Sequence, residues 1–268
     1  MPERPRILLC NDDGIFANGI RALAERMTEL GDIDVVAPNA QQSAVGHALT
    51  VASPLRVERY EHHGQFFGRA VNGTPADCVK LAVKHLLDYT PDLLVSGINH
   101  GRNTATSLVY SGTVSGATEG TMLGIPSIAI SYDDLARDAD FSAAAEVALT
   151  IARTVLREGL SPGVLLNVNV PKLPLDEIRG FRVTRQGESY WDDHYDERVD
   201  PMGNPYYWLH GKYIQTGTDT DDHALADGYV SVTPVHYRLT AEAEMESWES
   251  RIENAELRIQ KEEGKNQF

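Results

Sequence analysis

The apolar run Ile7-Leu8-Leu9-Cys10, closed by Asn11-Asp12-Asp13-Gly14, sharply narrows the folds open to this chain. Four consecutive apolar residues ending at turn formers read as a short strand buried on both faces. A glycine-containing loop then leads into an amphipathic helix. Asn18 is its predicted N-cap, Ile20, Leu23, Ala24, Met27 and Leu30 share one face, and Gly31 ends it. Asp34-Val35-Val36-Ala37 reads as a second, parallel strand, which completes a βαβ unit. Open α/β sheets bind ligands beyond the carboxyl ends of their strands, where Asp12 and Asp13 fall. Adjacent carboxylates repel unless a proton or a cation intervenes. A hard divalent metal answers that repulsion and suits phosphate chemistry.

The pattern continues. Leu55–Tyr60 and Phe66–Val71 are expected to form a hairpin around His62-His63-Gly64. Thr74-Pro75-Ala76-Asp77 is a helix start, with Thr74 as cap, Pro75 in the first helical position and Asp77 closing a capping box. Strands follow at Asp92–Ser96, Pro126–Ser131 and Val164–Val170, with helices from about Ser111 and from Asp140 to Glu158. The expected fold is a doubly wound α/β sheet, mostly parallel, with helices on both faces. Residues 179–212, rich in Tyr, Trp, Asp and Arg, read as a projecting β arm, and Tyr229–Thr233 as a late strand. The core would be about 1–178 and 213–239, with a helical tail over 240–268, all in one domain. In the tail Met245, Trp248, Ile252, Ala255 and Ile259 form a stripe that must bury against this core or another subunit.

Composition limits the function. The chain has 268 residues, 42% hydrophobic, and 24 basic against 39 acidic residues give a net charge of −15. That field opposes binding of long nucleic acid, while a local metal still permits a small phosphorylated substrate. No run is long and apolar enough to span a membrane, and Met1-Pro2-Glu3-Arg4-Pro5 has no signal-peptide character. The two cysteines, Cys10 and Cys78, sit among apolar neighbours and read as reduced core thiols. Together these imply a cytoplasmic protein.

Three strand-end loops converge in this reading. They carry Asp12 and Asp13; Asn39, Gln42 and Ser43; and Ser96-Gly97-Ile98-Asn99-His100-Gly101. Asp12, Asp13, Ser43 and Asn99 make an oxygen-rich set suited to Mg²⁺ or Mn²⁺. Tyr110-Ser111-Gly112-Thr113-Val114 is a small-residue helix start whose N–H groups and hydroxyls suit an anion, with Asn103 as a further donor. Each piece has a bland alternative. An Asp-Asp after a strand is commonly a solvated turn, Asn99 a turn residue, and Ser111 an N-cap. Their coincidence on one rim favours a site. His62 and His63 read as surface residues, and His100, beside Asn99, as an exposed or supporting residue near the substrate rather than a catalytic one. The arm aromatics Tyr190, Trp191, Tyr206, Tyr207 and Trp208 read as packing or subunit contacts, with base stacking as the alternative.

These motifs, with Val71-Asn72-Gly73-Thr74-Pro75-Ala76-Asp77, Arg198-Val199-Asp200-Pro201 and Gly228-Tyr229-Val230-Ser231-Val232-Thr233-Pro234, resemble the SurE (survival protein E) family in its order along nearly the whole chain. The resemblance implies a metal-dependent phosphatase of nucleoside 5′- and 3′-monophosphates on a Rossmann-like α/β core, with a hairpin arm and C-terminal segment used in homodimer or homotetramer assembly. It implies one divalent cation per subunit on Asp12, Asp13, Ser43 and Asn99, and phosphate contacts at Asn103, Ser111, Gly112 and Thr113. Two places depart from the family pattern: Thr104–Val109, where many members carry Gly and Asp, and Met202, where a basic residue is common. The expected chemistry is in-line attack of a metal-activated water, with Asp12 or Asp13 assisting proton transfer. Attack by an aspartate itself is the competing route. A non-catalytic nucleotide-binding module and a metal-dependent nucleotide-sugar transferase are the rival functions.

Overall fold

A computed structural model of the chain describes residues 4–265, with side chains described as far as Ala255. In chain order the first compact unit, which ends at Tyr237, contains β1 (Arg6–Cys10), α1 (Asn18–Met27), β2 (Asp32–Pro38), β3 (Val57–His62), β4 (Gln65–Val71), α2 (Pro75–Leu81), β5 (Leu93–His100), α3 (Gly112–Met122), β6 (Ser127–Tyr132), α4 (Ser142–Glu158), β7 (Val164–Val170), β8 (Phe181–Val183), β9 (Tyr190–Val199), β10 (Pro205–Ile214), α5 (Asp221–Ala226) and β11 (Val230–His236). The second unit, from Arg238, holds α6 (Glu242–Lys265).

Nine strands form one sheet in the order β3-β4-β2-β1-β5-β6-β7-β11-β8. The run from β4 to β7 is parallel, whereas β3 and β11 run antiparallel to their neighbours β4 and β7. β1 has β2 on one side and β5 on the other, so the chain reverses its direction of winding between β1 and β5. That makes the crevice beyond their carboxyl ends the topological switch point, where ligands of such sheets bind. Asp12 follows β1, and Asn99 lies at the end of β5.

Helices cover both faces, as the alternation of elements predicts. Ile20, Leu23 and Met27 of α1 join Val147 and Ala148 of α4 in one core against Ile7, Leu9 and Val95. Cys78 and Val79 of α2 join Val114 and Ala117 of α3 in the other, against Leu8, Cys10 and Leu94. Cys10 and Cys78 are free and buried. The Thr74 capping box forms as expected: Asp77 N donates to Thr74 Oγ1 at 3.1 Å, and Thr74 N to Asp77 Oδ2 at 2.9 Å. α1 differs: the cap position falls on Ala17, which has no side-chain acceptor, and Asn18 is the first helical residue, its Oδ1 accepting from Arg21.

β5 runs four residues past the predicted end at Ser96, with an irregularity in its pairing to β6 between Ser96 and Asn99. Such a bulge re-aims the residues that follow it. The arm is narrower than the sequence suggests. Phe181–Val183 pairs in parallel with β11 and belongs to the main sheet, so the separate antiparallel hairpin is β9 and β10. In α6, Met245, Trp248 and Ile252 are about half exposed. Ile259 lies outside the residues whose side chains are described. Among the described residues no helix is long and apolar enough to cross a membrane.

Glycines set the closest helix–sheet approaches. A Cβ on Gly19 of α1 would lie 2.0 Å from the Ile98 carbonyl oxygen of β5. On α3, a Cβ on Gly116 or Gly120 would meet Ser96 Oγ at 2.8 Å or Ser127 Oγ at 2.6 Å. Mid-helix alanine ordinarily exceeds glycine by about 1 kcal/mol. We expect the opposite sign at Gly19: Gly19→Ala should lose about 2 kcal/mol or more by overpacking, read as a lower midpoint in urea unfolding. An unchanged or higher midpoint would refute the close approach.

Candidate metal and phosphate site

Asp12 leaves β1 into the switch-point crevice and is 5% exposed. Its carboxylate lies against the first turn of α3. A Cβ on Gly112 would stand 2.7 Å from Asp12 Cβ and 2.9 Å from Oδ2, so only glycine admits the acid there. The Thr113 hydroxyl donates to Asp12 Oδ1. Burial, above all, pushes the Asp12 carboxyl up to about 6; the Thr113 hydrogen bond opposes this and the Asp13 charge adds to it. Asp13 is also raised, by burial, against the lowering effect of the His100 amide, which donates to Oδ2 at 3.0 Å.

The other proposed ligands reach the same place by different routes. Gln42 N donates to the Asp12 carbonyl at 2.7 Å, which brings the loop after β2 across the end of β1. Gln41 Nε2 then bridges Ser43 Oγ at 2.9 Å and Asp13 Oδ1 at 3.4 Å. Farther along, His47 contacts buried Glu119 of α3 at 2.9 Å and ties this loop down, and Lys80 of α2 reaches the same acid at 2.6 Å. Asn99 Nδ2 donates to the carbonyls of His100 and Gly101 at 3.0 and 2.7 Å. With the amide nitrogen spent on backbone, Oδ1 is the group left to accept from a donor or bind a cation.

Asn103 is built in from below. Its backbone N–H donates to Asn169 Oδ1 at 2.7 Å, its carbonyl accepts from Asn167 and Asn169, and its Nδ2 donates to Ser131 Oγ at 2.9 Å. Ser111 caps α3 by accepting from Val114 N at 3.1 Å, which leaves its hydroxyl proton free to donate. Thr113 is placed differently from the expectation that it meets phosphate, since its hydroxyl is given to Asp12. The N–H groups of Gly112 and Thr113 have no partner within the helix, as at any first turn.

Asp12, Ser43, Asn99, Asn103 and Ser111 line one open cleft of about 810 Å³, within the range of small-molecule sites. Asp13 stands behind it, joined through Gln41 and the His100 amide. His100 lines the cleft and packs its ring on Phe141 at 4.9 Å. The donor set fits a hard cation: two adjacent carboxylates with raised affinity for protons, an amide oxygen oriented by its own nitrogen, and a hydroxyl. Among the described residues no group of three or more His, Cys, Asp or Glu converges.

Sequence reasoning missed several contributors. The opposite wall of the cleft belongs to the hairpin, with Trp191, Asp193, Tyr195 and Leu209. Asn167 and Asn169, fully buried in β7, carry the Asn103 loop. Two amides inside an apolar strand were the available signal, since buried amides require partners. Asp221 and Asp222, also fully buried, hold the hairpin root and the loop before α3. Asp221 accepts from Ala105 N at 2.9 Å and Gly187 N at 3.0 Å, and Asp222 from Tyr213 OH at 3.1 Å.

The chain is similar to known proteins in sequence and in fold. The family model described as survival protein SurE matches residues 7–193. A 5′-nucleotidase SurE of Syntrophobacter fumaroxidans is 52% identical over 237 residues, 88% of this chain and 94% of that protein. One from Chlorobaculum tepidum is 47% identical over 252 residues, 92% and 95% of the two chains. The crystal structure of the SurE protein from Aquifex aeolicus superposes with a TM-score of 0.79 at 43% identity, over 91% of this chain and 98% of that one. The chain therefore belongs to the SurE family.

Proposed function

We propose that this protein is a divalent-metal-dependent phosphomonoesterase that hydrolyses nucleoside 5′- and 3′-monophosphates. Asp12, Asp13, Ser43 and Asn99 would hold one Mg²⁺ or Mn²⁺. The observation that carries the reading is the adjacent pair Asp12 and Asp13 at the switch point, with Asp12 buried and sharing the cleft with an Asn99 whose amide nitrogen is already spent. The relatives named 5′-nucleotidase SurE support the same chemistry. A cation there supplies Lewis-acid stabilisation of a phosphoryl group and a more acidic water.

The chain's own groups do the rest. Thr113 and Gly112 fix the Asp12 carboxylate, and the His100 amide and Gln41 fix Asp13. The Ser111 hydroxyl and the Gly112 N–H that opens α3 face charge that develops on the phosphoryl oxygens. The Asn103 carboxamide, held by Ser131, offers a further polar contact at a fixed height. Its rigid mounting on Asn167 and Asn169 positions the phosphate without reorganisation during the reaction. The cytoplasm and a homodimer or homotetramer are the setting we propose. The half-exposed Met245, Trp248 and Ile252 stripe of α6 is the apolar surface such assembly would cover.

Four outcomes test this reading. Phosphate release from nucleoside monophosphates should require Mg²⁺ or Mn²⁺ and cease with EDTA. Asp12→Asn should lower kcat by at least the ~10–100-fold that even outer-shell changes cost at metal sites; undiminished turnover would remove Asp12 from the ligand set. Gly112→Ala should keep the circular dichroism of the parent but lose roughly tenfold or more in kcat, because displacing a positioned group by an ångström costs catalysis steeply. Full activity in that variant would contradict the packing of Asp12 on α3. Ending the chain at Leu239 should reduce the particle mass in light scattering, and an unchanged mass would exclude α6 from assembly.

A further inference from the structure

We propose that the cleft-facing side of the hairpin is a nucleobase subsite in which Asp193 selects guanine. This rests on the nucleotide reading above and names the base that the site prefers. Strand alternation places Trp191, Asp193 and Tyr195 of β9 on one face, opposite Tyr213, Gly211 and Leu209 of β10. Trp191, Asp193 and Tyr195 line the cleft that also holds Asp12 and Asn99. Trp191 is 50% exposed and Tyr195 68%, so both rings are open to a planar ligand. One cleft thus joins a phosphate end to an aromatic end.

Between the two rings sits a single acceptor. A Cβ on Gly211 would lie 2.6 Å from Asp193 Oδ1, so the glycine leaves the space in which that carboxylate lies across the hairpin. Two basic side chains, Arg102 and His210, also line the cleft, and each pairs with another acid. His194, His210 and Arg198 gather on Asp196, on the other face of the hairpin. Arg102 stacks over Tyr213 at 4.5 Å and points its charge to Asp133 at 3.5 Å. Among the described residues Asp193 has no ion-pair partner.

An ionised carboxylate only accepts hydrogen bonds. Guanine presents two adjacent donors, N1–H and the 2-amino group, which match the two oxygens of a carboxylate. Hypoxanthine keeps N1–H and lacks the amino group. Adenine places a lone pair at N1 beside its 6-amino donor, so one carboxylate oxygen would face another acceptor. Charge-assisted pairs are stronger than neutral ones, and the expected order is GMP, then IMP, then AMP.

The experiment compares kcat/KM for GMP, IMP and AMP with Mn²⁺ in the parent, Asp193→Asn and Trp191→Ala. Equilibrium binding of guanosine and adenosine, which carry no phosphate, is measured alongside without metal. GMP should exceed AMP by about tenfold or more, the scale of a hydrogen bond to a charged group. Asp193→Asn should erase or invert that ratio, because an amide both donates and accepts, as adenine does. Trp191→Ala should raise KM for every base, on the order of tenfold for a lost stacking partner. Equal parent values for GMP and AMP, or a GMP preference that survives Asp193→Asn, would overturn the subsite while leaving phosphate release intact. If no nucleotide releases phosphate, the hydrolytic reading fails instead. Guanosine bound no tighter than adenosine would then overturn the role of Asp193.

Discussion

Burying the Asp12 carboxylate against the start of α3 is the constraint around which the rest of the site is arranged. An acid 5% exposed is costly unless polar groups or charge meet it. Here the Thr113 hydroxyl meets one oxygen, and the absent side chain of Gly112 lets the other lie on the opening turn of the helix. The positive end of a helix favours negative charge in that place. These groups offset only part of the cost, and the acid stays pushed up to about 6 by burial. A site that holds one anion against a helix start and a second anion beside it is predisposed to take a cation.

The fold supplies this arrangement by close approach. Gly112, Gly116 and Gly120 recur every four residues on α3, so one bare stripe of the helix lies on Asp12, Ser96 and Ser127. α3 can therefore press its first turn into the crevice between β1 and β5. On the other side, Asn167 and Asn169 use an otherwise apolar strand to suspend Asn103 over the same crevice. Asp221 and Asp222 repeat the device, fastening the loop before α3 to the hairpin root. Catalytic-type groups on strand ends thus gain rigidity from buried polar networks whose members are largely paired, Asn167 Oδ1 being left without a partner.

Much of this was legible in the sequence for local reasons. Ile7–Cys10 and Val35–Ala37 announce buried strands by length and hydropathy, and Thr74-Pro75-Ala76-Asp77 announces a helix start by chemistry that is complete within four residues. The family motifs then located Asp12, Asp13, Ser43 and Asn99, and the cleft brings Asp12, Ser43 and Asn99 to one surface. What local pattern does not encode is which neighbour satisfies a hydrogen bond. Thr113 read as a phosphate donor and instead serves Asp12. Gln42 was singled out, whereas the side chain reaching Ser43 and Asp13 is that of Gln41. Phe181–Val183 read as arm because its pairing partner, β11, lies about fifty residues on. The hairpin aromatics read as packing residues because nothing in their spacing reveals that β9 forms a wall of the cleft.

The account turns on a cation seated among Asp12, Asp13, Ser43 and Asn99. Its most direct test is the anomalous scattering of a crystal soaked in manganese. A single strong peak within coordination distance of the Asp12 and Asp13 carboxylates and Asn99 Oδ1 is the predicted result. A well-ordered crystal with no peak there, or with its manganese bound elsewhere, would contradict it.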